Sequence, residues 1–140
     1  MLQISEEMKV GIEKIDRQHQ ELVDRFNELS SMDSPNPLSD EVQKTLDLLG
    51  RYVVEHFNDE EELQRECAFP DYERHREQHL GFVQTFQKLR EEFIADGTSG
   101  TFIMHLDNSL IGWVKDHIKG YDVEFGKFYR EYKQQERRQT

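Results

Sequence analysis

Apolar residues return at alternating intervals of four and three along this chain, and no other feature restricts its possible folds so strongly. In one stretch they are Val42, Leu46, Leu49 and Val53. This interval places apolar side chains on one stripe of a helix, as in helices that pack together in a bundle. Strand-like alternation of apolar and polar residues is absent, so the sequence predicts an all-α fold.

Stretches that contain proline or glycine divide the chain into helical segments. Residues 30–40, 68–72 and 95–101 have the composition of loops or turns. Between them we predict helices over residues 18–31, 38–66, 71–95 and 101–119, with Ser39 as the N-cap of the second. A short fifth helix over residues 123–133 and a frayed tail should follow. These segments favour an antiparallel, up-down-up-down four-helix bundle with an N-terminal arm and a short C-terminal helix.

Length and composition narrow the class of protein further. The 140 residues fit a single domain over residues 1–140, and nine Phe, five Tyr and one Trp can fill its core. The formal net charge of −11 argues against a nucleic-acid or an anionic membrane partner. No apolar run is long enough to span a bilayer, and the N-terminus lacks the features of a signal peptide. The single cysteine, Cys67, excludes an internal disulfide, so we expect a cytoplasmic protein, and we expect a monomer.

Ionisable side chains interrupt the apolar stripes. A single histidine on such a stripe is more often an ordinary core residue than a metal ligand. Here, however, five of the six histidines lie on the stripes of all four helices, together with one glutamate and no lysine or arginine. A metal ion binds neutral imidazoles and a carboxylate together, and so removes the cost of burying them without partners. The predicted ligands are His19, His56, Glu60, His75, His79 and His117, whereas His105 falls off its stripe and is predicted to lie at the surface.

The spacing of these residues supports one shared site. His56 and Glu60 are four residues apart, as are His75 and His79. Residues four apart on a helix project side by side, with Cβ atoms about 5–6 Å apart, and can reach the same ion or cluster. Five histidines and one carboxylate favour two ions over one and predict a second, bridging carboxylate.

Asp122 is the predicted second bridge. It follows His117 by five residues, and a regular α-helix would aim it about 140° away from that histidine. We therefore predict a widened turn or a helix end at Gly120. Asp116 is the rival, but it is adjacent to His117 and faces elsewhere.

The ordered motifs resemble those of hemerythrins, specifically the bacterial single-domain kind. They are GIEKIDRQH (residues 11–19), HFNDEE (56–61), FPDYERHREQH (69–79) and WVKDHIKGYD (113–122), and they span nearly the whole chain. The resemblance implies two non-haem iron ions bridged by Glu60, Asp122 and an oxo or hydroxo group. By the same resemblance, His75, His79 and His117 would hold the first iron. His19 and His56 would hold the second and leave it one open position for dioxygen.

The resemblance also implies an apolar oxygen pocket and shows where this chain departs from the family. The pocket would be formed by Leu22, Phe57, Trp113, Val114 and Ile118. Ile4 stands where the family often has tryptophan, Gln64 where methionine is common, and Val114 where leucine is frequent. None of these departures removes a predicted ligand. Apart from Glu60, the acidic run at residues 59–62 is expected to be a solvated helix face.

Reversible dioxygen binding for storage, delivery or buffering, without catalysis, is the function that the resemblance implies. Ligands rich in nitrogen also favour reversible binding over the oxidation chemistry of carboxylate-rich di-iron sites. Two alternatives remain: an oxygen- or redox-sensing module of a signalling protein, and a di-iron enzyme that acts on nitric oxide or peroxide. The same ligands could also hold manganese, zinc or cobalt.

Overall fold

The computed structural model describes residues 2–31 and 40–139 of the chain. A short 3-10 turn (Glu6–Met8) lies in the N-terminal arm, and the α-helices are α1 (Glu13–Ser31), α2 (Asp40–Glu66), α3 (Tyr72–Asp96), α4 (Gly100–His105), α5 (Gly112–His117) and α6 (Val123–Gln139). Two π-helical turns, Leu106–Ile111 and Ile118–Asp122, join α4, α5 and α6 into one continuous rod, which we call the fourth helix. No strand occurs in these two ranges, and the predicted all-α four-helix bundle is confirmed.

Neighbouring helices pack around a common axis. Helix α1 contacts α2 and the fourth helix, and α3 contacts the same two elements, which closes the bundle. The third helix has nearly its predicted bounds, whereas α1 begins five residues earlier than predicted, at Glu13. Asp16 explains the early start, because its carboxylate accepts the backbone N–H groups of Val10 and Gly11 just before the helix. The predicted N-cap Ser39 lies outside the described residues.

Of the two alternatives predicted at Gly120, a widened turn or a helix end, the structure has the widened turn, and the predicted frayed tail is wrong. The fourth helix continues without interruption through a π-helical turn into α6, which extends to Gln139. An apolar face explains the continuation. Phe125 of α6 is fully buried against Phe69, and Phe128 and Tyr129 pack beside them.

A row of buried residues on the fourth helix is spaced by four instead of by alternating four and three, and the buried His117 lies beside this row. The row consists of Phe102, Leu106, Leu110, Val114, Ile118 and Asp122. In a regular α-helix each step of four overshoots a full turn by about 40°, so the last residue would face about 200° away from the first. The two π-helical turns are wider and cancel this drift. The same spacing corrects one prediction, because Phe102 is buried and Ile103, which was expected on the stripe, is 36% exposed.

Two apolar clusters flank the middle of the bundle. The larger one fills most of the bundle axis and includes Phe26, Leu49 and Phe82. The smaller one consists of Cys67, Phe69 and Phe125 with partly buried aromatic neighbours. Between them lies a layer of buried polar side chains, which forms the candidate site described below.

The N-terminal arm packs closely on the bundle. The side chain of Asn27 accepts the backbone N–H of Leu2 and donates to its carbonyl oxygen, and Ile4 packs against the larger cluster. Farther along, the arm passes so close to the fourth helix that a Cβ atom on Gly126 would lie 2.2 Å from the carbonyl oxygen of Val10. No helix in the described ranges is long and apolar enough to cross a membrane.

Candidate metal centre

All seven side chains predicted as ligands meet at one place in the core. They come from α1, α2, α3 and the fourth helix, and none is more than 4% exposed: His19, His56, Glu60, His75, His79, His117 and Asp122. They form two groups, each with ligand atoms within 4.8 Å of one another. The first group is Glu60, His75, His79, His117 and Asp122, and the second is His19, His56, Glu60 and Asp122. The two groups share both carboxylates.

Three imidazole nitrogens of the first group converge on a common point. The Nε2 atom of His117 lies 3.1 Å from Nε2 of His75 and 3.2 Å from Nε2 of His79. Metal–imidazole bonds of about 2.0–2.1 Å place neighbouring ligand atoms of one octahedral ion about 3 Å apart. The arrangement therefore has the spacing of three ligands around one ion.

Glu60 directs one oxygen to each group. Its Oε1 atom lies 2.7 Å from Nε2 of His75 and 4.0 Å from Nε2 of His79. Its Oε2 atom lies 3.4 Å from Nε2 of His56, in the second group. A carboxylate placed in this way can bridge two ions.

Asp122 has the same two-sided arrangement. Its Oδ1 atom lies 2.9 Å from Nε2 of His75 and 3.1 Å from Nε2 of His117, and its Oδ2 atom lies 2.9 Å from Nε2 of His19. The widened turn predicted at Gly120 is present as the π-helical turn Ile118–Asp122, and it brings the carboxylate back to the side of His117.

Several buried polar atoms of the site have no hydrogen-bond partner. They include both ring nitrogens of His19, Oε2 of Glu60 and Oδ1 of Asp122. The contacts of Asp122 Oδ1 and His19 Nε2 are short but do not have the angles of hydrogen bonds, as expected for atoms that share an ion. Unpaired buried polar atoms are costly, and a cation would satisfy them. The residues present therefore fit a pair of metal ions.

In the absence of metal, burial and the closeness of the ligand side chains shift the pKa values of several of them. Burial and the neighbouring His19 lower the pKa of His56 to about 3, and burial also lowers the pKa of His79. Burial and the charge of Asp122 raise the pKa of Glu60 well above its usual value. For His75, burial works to lower the pKa, but the carboxylates of Asp122 and Glu60, each within 2.9 Å of its Nε2 atom, outweigh burial and raise the pKa to about 10. Two of the five imidazoles, those of His56 and His79, are thus held neutral, which is the form that binds metal.

Three of the five histidines have a partner for their second ring nitrogen. The carboxylate of Glu61 lies 2.9 Å from Nδ1 of His79. The amide of Gln64 lies 3.0 Å from Nδ1 of His75, and Oε1 of Gln18 lies 2.7 Å from Nδ1 of His56. Such outer partners fix the orientation and the tautomer of a ligand histidine.

Sequence reasoning missed these outer partners and was wrong about one of them. Glu61 was expected on a solvated face, but it is only 9% exposed and faces α3. Gln64 is fully buried one turn after Glu60, and this position on the stripe is the signal that could have revealed it. His105 is at the surface as predicted, with its side chain 45% exposed and 2.8 Å from Glu92.

A small apolar cavity borders the second group of ligands. Its volume is about 10 Å³, enough for about one water-sized molecule. All five residues of the predicted pocket line it, together with three further apolar residues: Leu22, Phe26, Val53, Phe57, Phe82, Trp113, Val114 and Ile118. Two rings cover ligand histidines, because Phe57 stacks on His79 at 3.8 Å between ring centroids and Trp113 stacks on His117 at 4.3 Å.

Comparison with known proteins gives one consistent result. The family model for the Hemerythrin HHE cation binding domain matches residues 10–128. Myohemerythrin of Theromyzon tessulatum is 29% identical over 123 residues, which cover 88% of this chain and 89% of that protein. Bacteriohemerythrin of Stenotrophomonas maltophilia strain R551-3 is 27% identical over 120 residues, covering 86% of this chain and 76% of that protein. A crystal structure of wild-type hemerythrin superposes with a TM-score of 0.77 at 25% identity and covers 92% of this chain and 97% of that one.

Proposed function

This chain belongs to the hemerythrin family, and on that basis we propose that it binds dioxygen reversibly at a non-haem di-iron centre. His75, His79 and His117 would hold one iron, His19 and His56 the other, and Glu60 and Asp122 would bridge them. The iron pair, when bound, supplies two electrons that can pass to dioxygen and return.

The position of the cavity is the observation that carries this proposal. Both histidines of the second group, His19 and His56, line it together with Asp122, whereas only His117 of the three first-group histidines does. The ion of the second group therefore has free space beside it, on the side where it has fewer protein ligands. Dioxygen is small and apolar, and a site of this size and lining suits it better than a larger polar substrate.

The chain's own residues would keep the bound gas dry. Phe57 and Val114, which are buried, and Trp113, which is partly exposed, line the cavity. Apart from the proposed ligands, the lining that the structure describes includes no carboxylate, lysine, cysteine or further histidine. Without a further acidic or basic side chain in reach, a bound molecule receives no proton from side chains outside the ligand set, which favours release over turnover.

The two bridging carboxylates also balance charge. Two ferrous ions carry four positive charges, and Glu60 and Asp122 with a hydroxide would carry three negative ones. A nearly neutral cluster can lie in this buried layer at modest cost. The five neutral imidazoles add ligand atoms without adding charge.

An air and vacuum cycle tests the proposal. Iron-loaded protein should develop a visible charge-transfer absorption in air and lose it under vacuum, over repeated cycles. His117→Ala should lower the iron content below two per chain and abolish that spectrum. A protein that consumes nitric oxide or peroxide and shows no reversible spectrum would instead be a di-iron enzyme. Fast, irreversible oxidation coupled to a helix movement would favour the sensor alternative.

The single domain over residues 1–140, the monomeric state and the cytoplasmic location stay predictions from the sequence. Size-exclusion chromatography with light scattering would check the monomer directly.

A further inference from the structure

The outer partners of the ligand histidines differ in charge between the two groups. In the first group, His79 faces the carboxylate of Glu61 at 2.9 Å, and His75 faces the neutral amide of Gln64. In the second group, His56 faces the neutral amide of Gln18. Nδ1 of His19 and Nδ1 of His117 have no hydrogen-bond partner in the part of the chain that is described. Among the described residues, Glu61 is therefore the one outer partner with a negative charge, and it contacts a ligand of the first group.

Glu61 also differs from the two amide partners because it can act only as a hydrogen-bond acceptor. A carboxylate can only accept, so it requires the proton of His79 on Nδ1 and leaves Nε2 free for a metal. An amide can present either oxygen or nitrogen, so Gln64 does not by itself fix the tautomer of His75. Gln18 is oriented by a second bond, in which its Nε2 donates to Asp59 at 2.8 Å.

The two carboxylate oxygens of Glu61 have different partners. Oε2 faces Nδ1 of His79 at 2.9 Å, and Oε1 faces Nε of Arg76 at 3.8 Å, which offsets part of the charge from the solvent side. Glu61 itself is only 9% exposed, and charges exert stronger effects in such an environment than in water. A hydrogen bond from imidazole to a buried carboxylate makes the imidazole a stronger electron donor to its metal.

We propose that Glu61 is a positioning residue that fixes His79 as a ligand and biases oxidation toward the metal of the first group, next to His75, His79 and His117. The proposal deepens the proposed function and rests on it for the identity of the metal. Of that metal's three histidines only His117 lines the cavity, whereas both histidines of the other metal do. The stronger donor would thus lower the energy of removing an electron from the ion farther from the cavity, while the ion beside the cavity keeps a neutral outer partner on His56.

A series of three variants separates charge from orientation. Glu61→Gln keeps a hydrogen-bond acceptor near His79 and removes the charge, and Glu61→Ala removes both. Glu62→Gln is the matched control, because it removes the same charge from the neighbouring, exposed position. The readouts are zinc affinity of the metal-free protein, the midpoint potential of the iron-loaded protein, and the Nδ1–H signal of His79 in nitrogen NMR of the zinc-loaded protein.

The expected results differ for each variant. Glu61→Ala should bind one of its two zinc ions about 10–100-fold more weakly, which is the usual effect of losing an outer partner. Glu61→Gln should keep the Nδ1–H signal but shift the midpoint potential of the iron protein to more positive values, as should Glu61→Ala. Glu62→Gln should match the wild type in all three measurements.

Two results would overturn the proposal. One is a zinc-loaded wild-type protein in which Nδ1 of His79 carries no proton, a measurement that needs no variant to fold. The other is a Glu61→Gln protein whose midpoint potential equals that of Glu62→Gln. These outcomes are distinct from failure of the proposed function: loss of reversible oxygenation with a normal response to Glu61→Ala would refute the function alone.

Discussion

The π-helical turn at Ile118–Asp122 predicts how the site responds when one residue is deleted or inserted between His117 and Asp122. Five residues separate His117 from Asp122, and the wider turn is what returns Asp122 to the side of His117. Deleting Gly120 would leave a separation of four, which a regular α-helix already brings to within about 40° of the same face. Inserting one alanine after Gly120 would instead rotate Asp122 by about 100° from its present direction.

These two changes should therefore have opposite outcomes. The deletion should retain two metal ions per chain, because an ordinary α-helical turn replaces the π-helical one with an axial rise of about 6 Å. The insertion should remove a carboxylate that lies within 3.1 Å of three of the ligand histidines. Losing an outer partner alone costs about 10–100-fold in metal affinity, so losing this ligand should cost about 100-fold or more.

Metal analysis of the purified proteins and cobalt titration of the metal-free proteins would measure both effects. Gly120→Ala is the matched control, because a Cβ atom at this position meets no atom within 4 Å. Equal loss of metal in the deletion and the insertion would refute the reasoning, since it would show that the turn does more than correct the register of Asp122.

Three further predictions test other parts of the molecule. Glu60→Ala should lower the metal content below two per chain in elemental analysis, whereas His105→Ala should leave it unchanged. Gly126→Ala should destabilise the fold by about 1–3 kcal/mol in chemical denaturation, because the new methyl group would overlap the backbone of the N-terminal arm. Metal-free protein should change in stability by no more than about 1 kcal/mol between pH 7 and pH 5, measured by urea unfolding at each pH. His56 and His79, with lowered pKa values, take up protons only on unfolding and so lose stability as the pH falls. His75 and Glu60, with raised pKa values, already hold protons in the folded state and gain stability over the same range, so the effects largely cancel.

Much of the fold and the whole proposed ligand set could be predicted because both follow one periodicity. The stripe of α2 carries His56 and Glu60 among apolar residues, and the structure buries all of them together. Because the other residues of this stripe are apolar, the imidazole and the carboxylate stand out as candidate ligands. The position of Asp122 was also predictable, because its separation from His117 conflicts with a regular helix and Gly120 offers a place to resolve it.

The features that could not be predicted depend on neighbouring helices. Glu61 belongs to an acidic run that resembles a solvated face, and only the position of α3 shows that it meets His79. The first π-helical turn contains no glycine or proline before Gly112, so nothing local distinguishes it from an α-helix. The continuation into α6 likewise depends on packing of Phe125 against Phe69, which are far apart in the sequence.

The sharing of Asp122 between the two groups of ligands has a consequence for synthesis of the protein. Neither group is complete until residue 122 has left the ribosome and the last long helix has docked on the other three. A nascent chain that ends earlier offers only a partial set of ligands, so metal loading must follow assembly of the bundle. Metal binding would thus stabilise the finished fold alone and would not rescue truncated or misassembled chains.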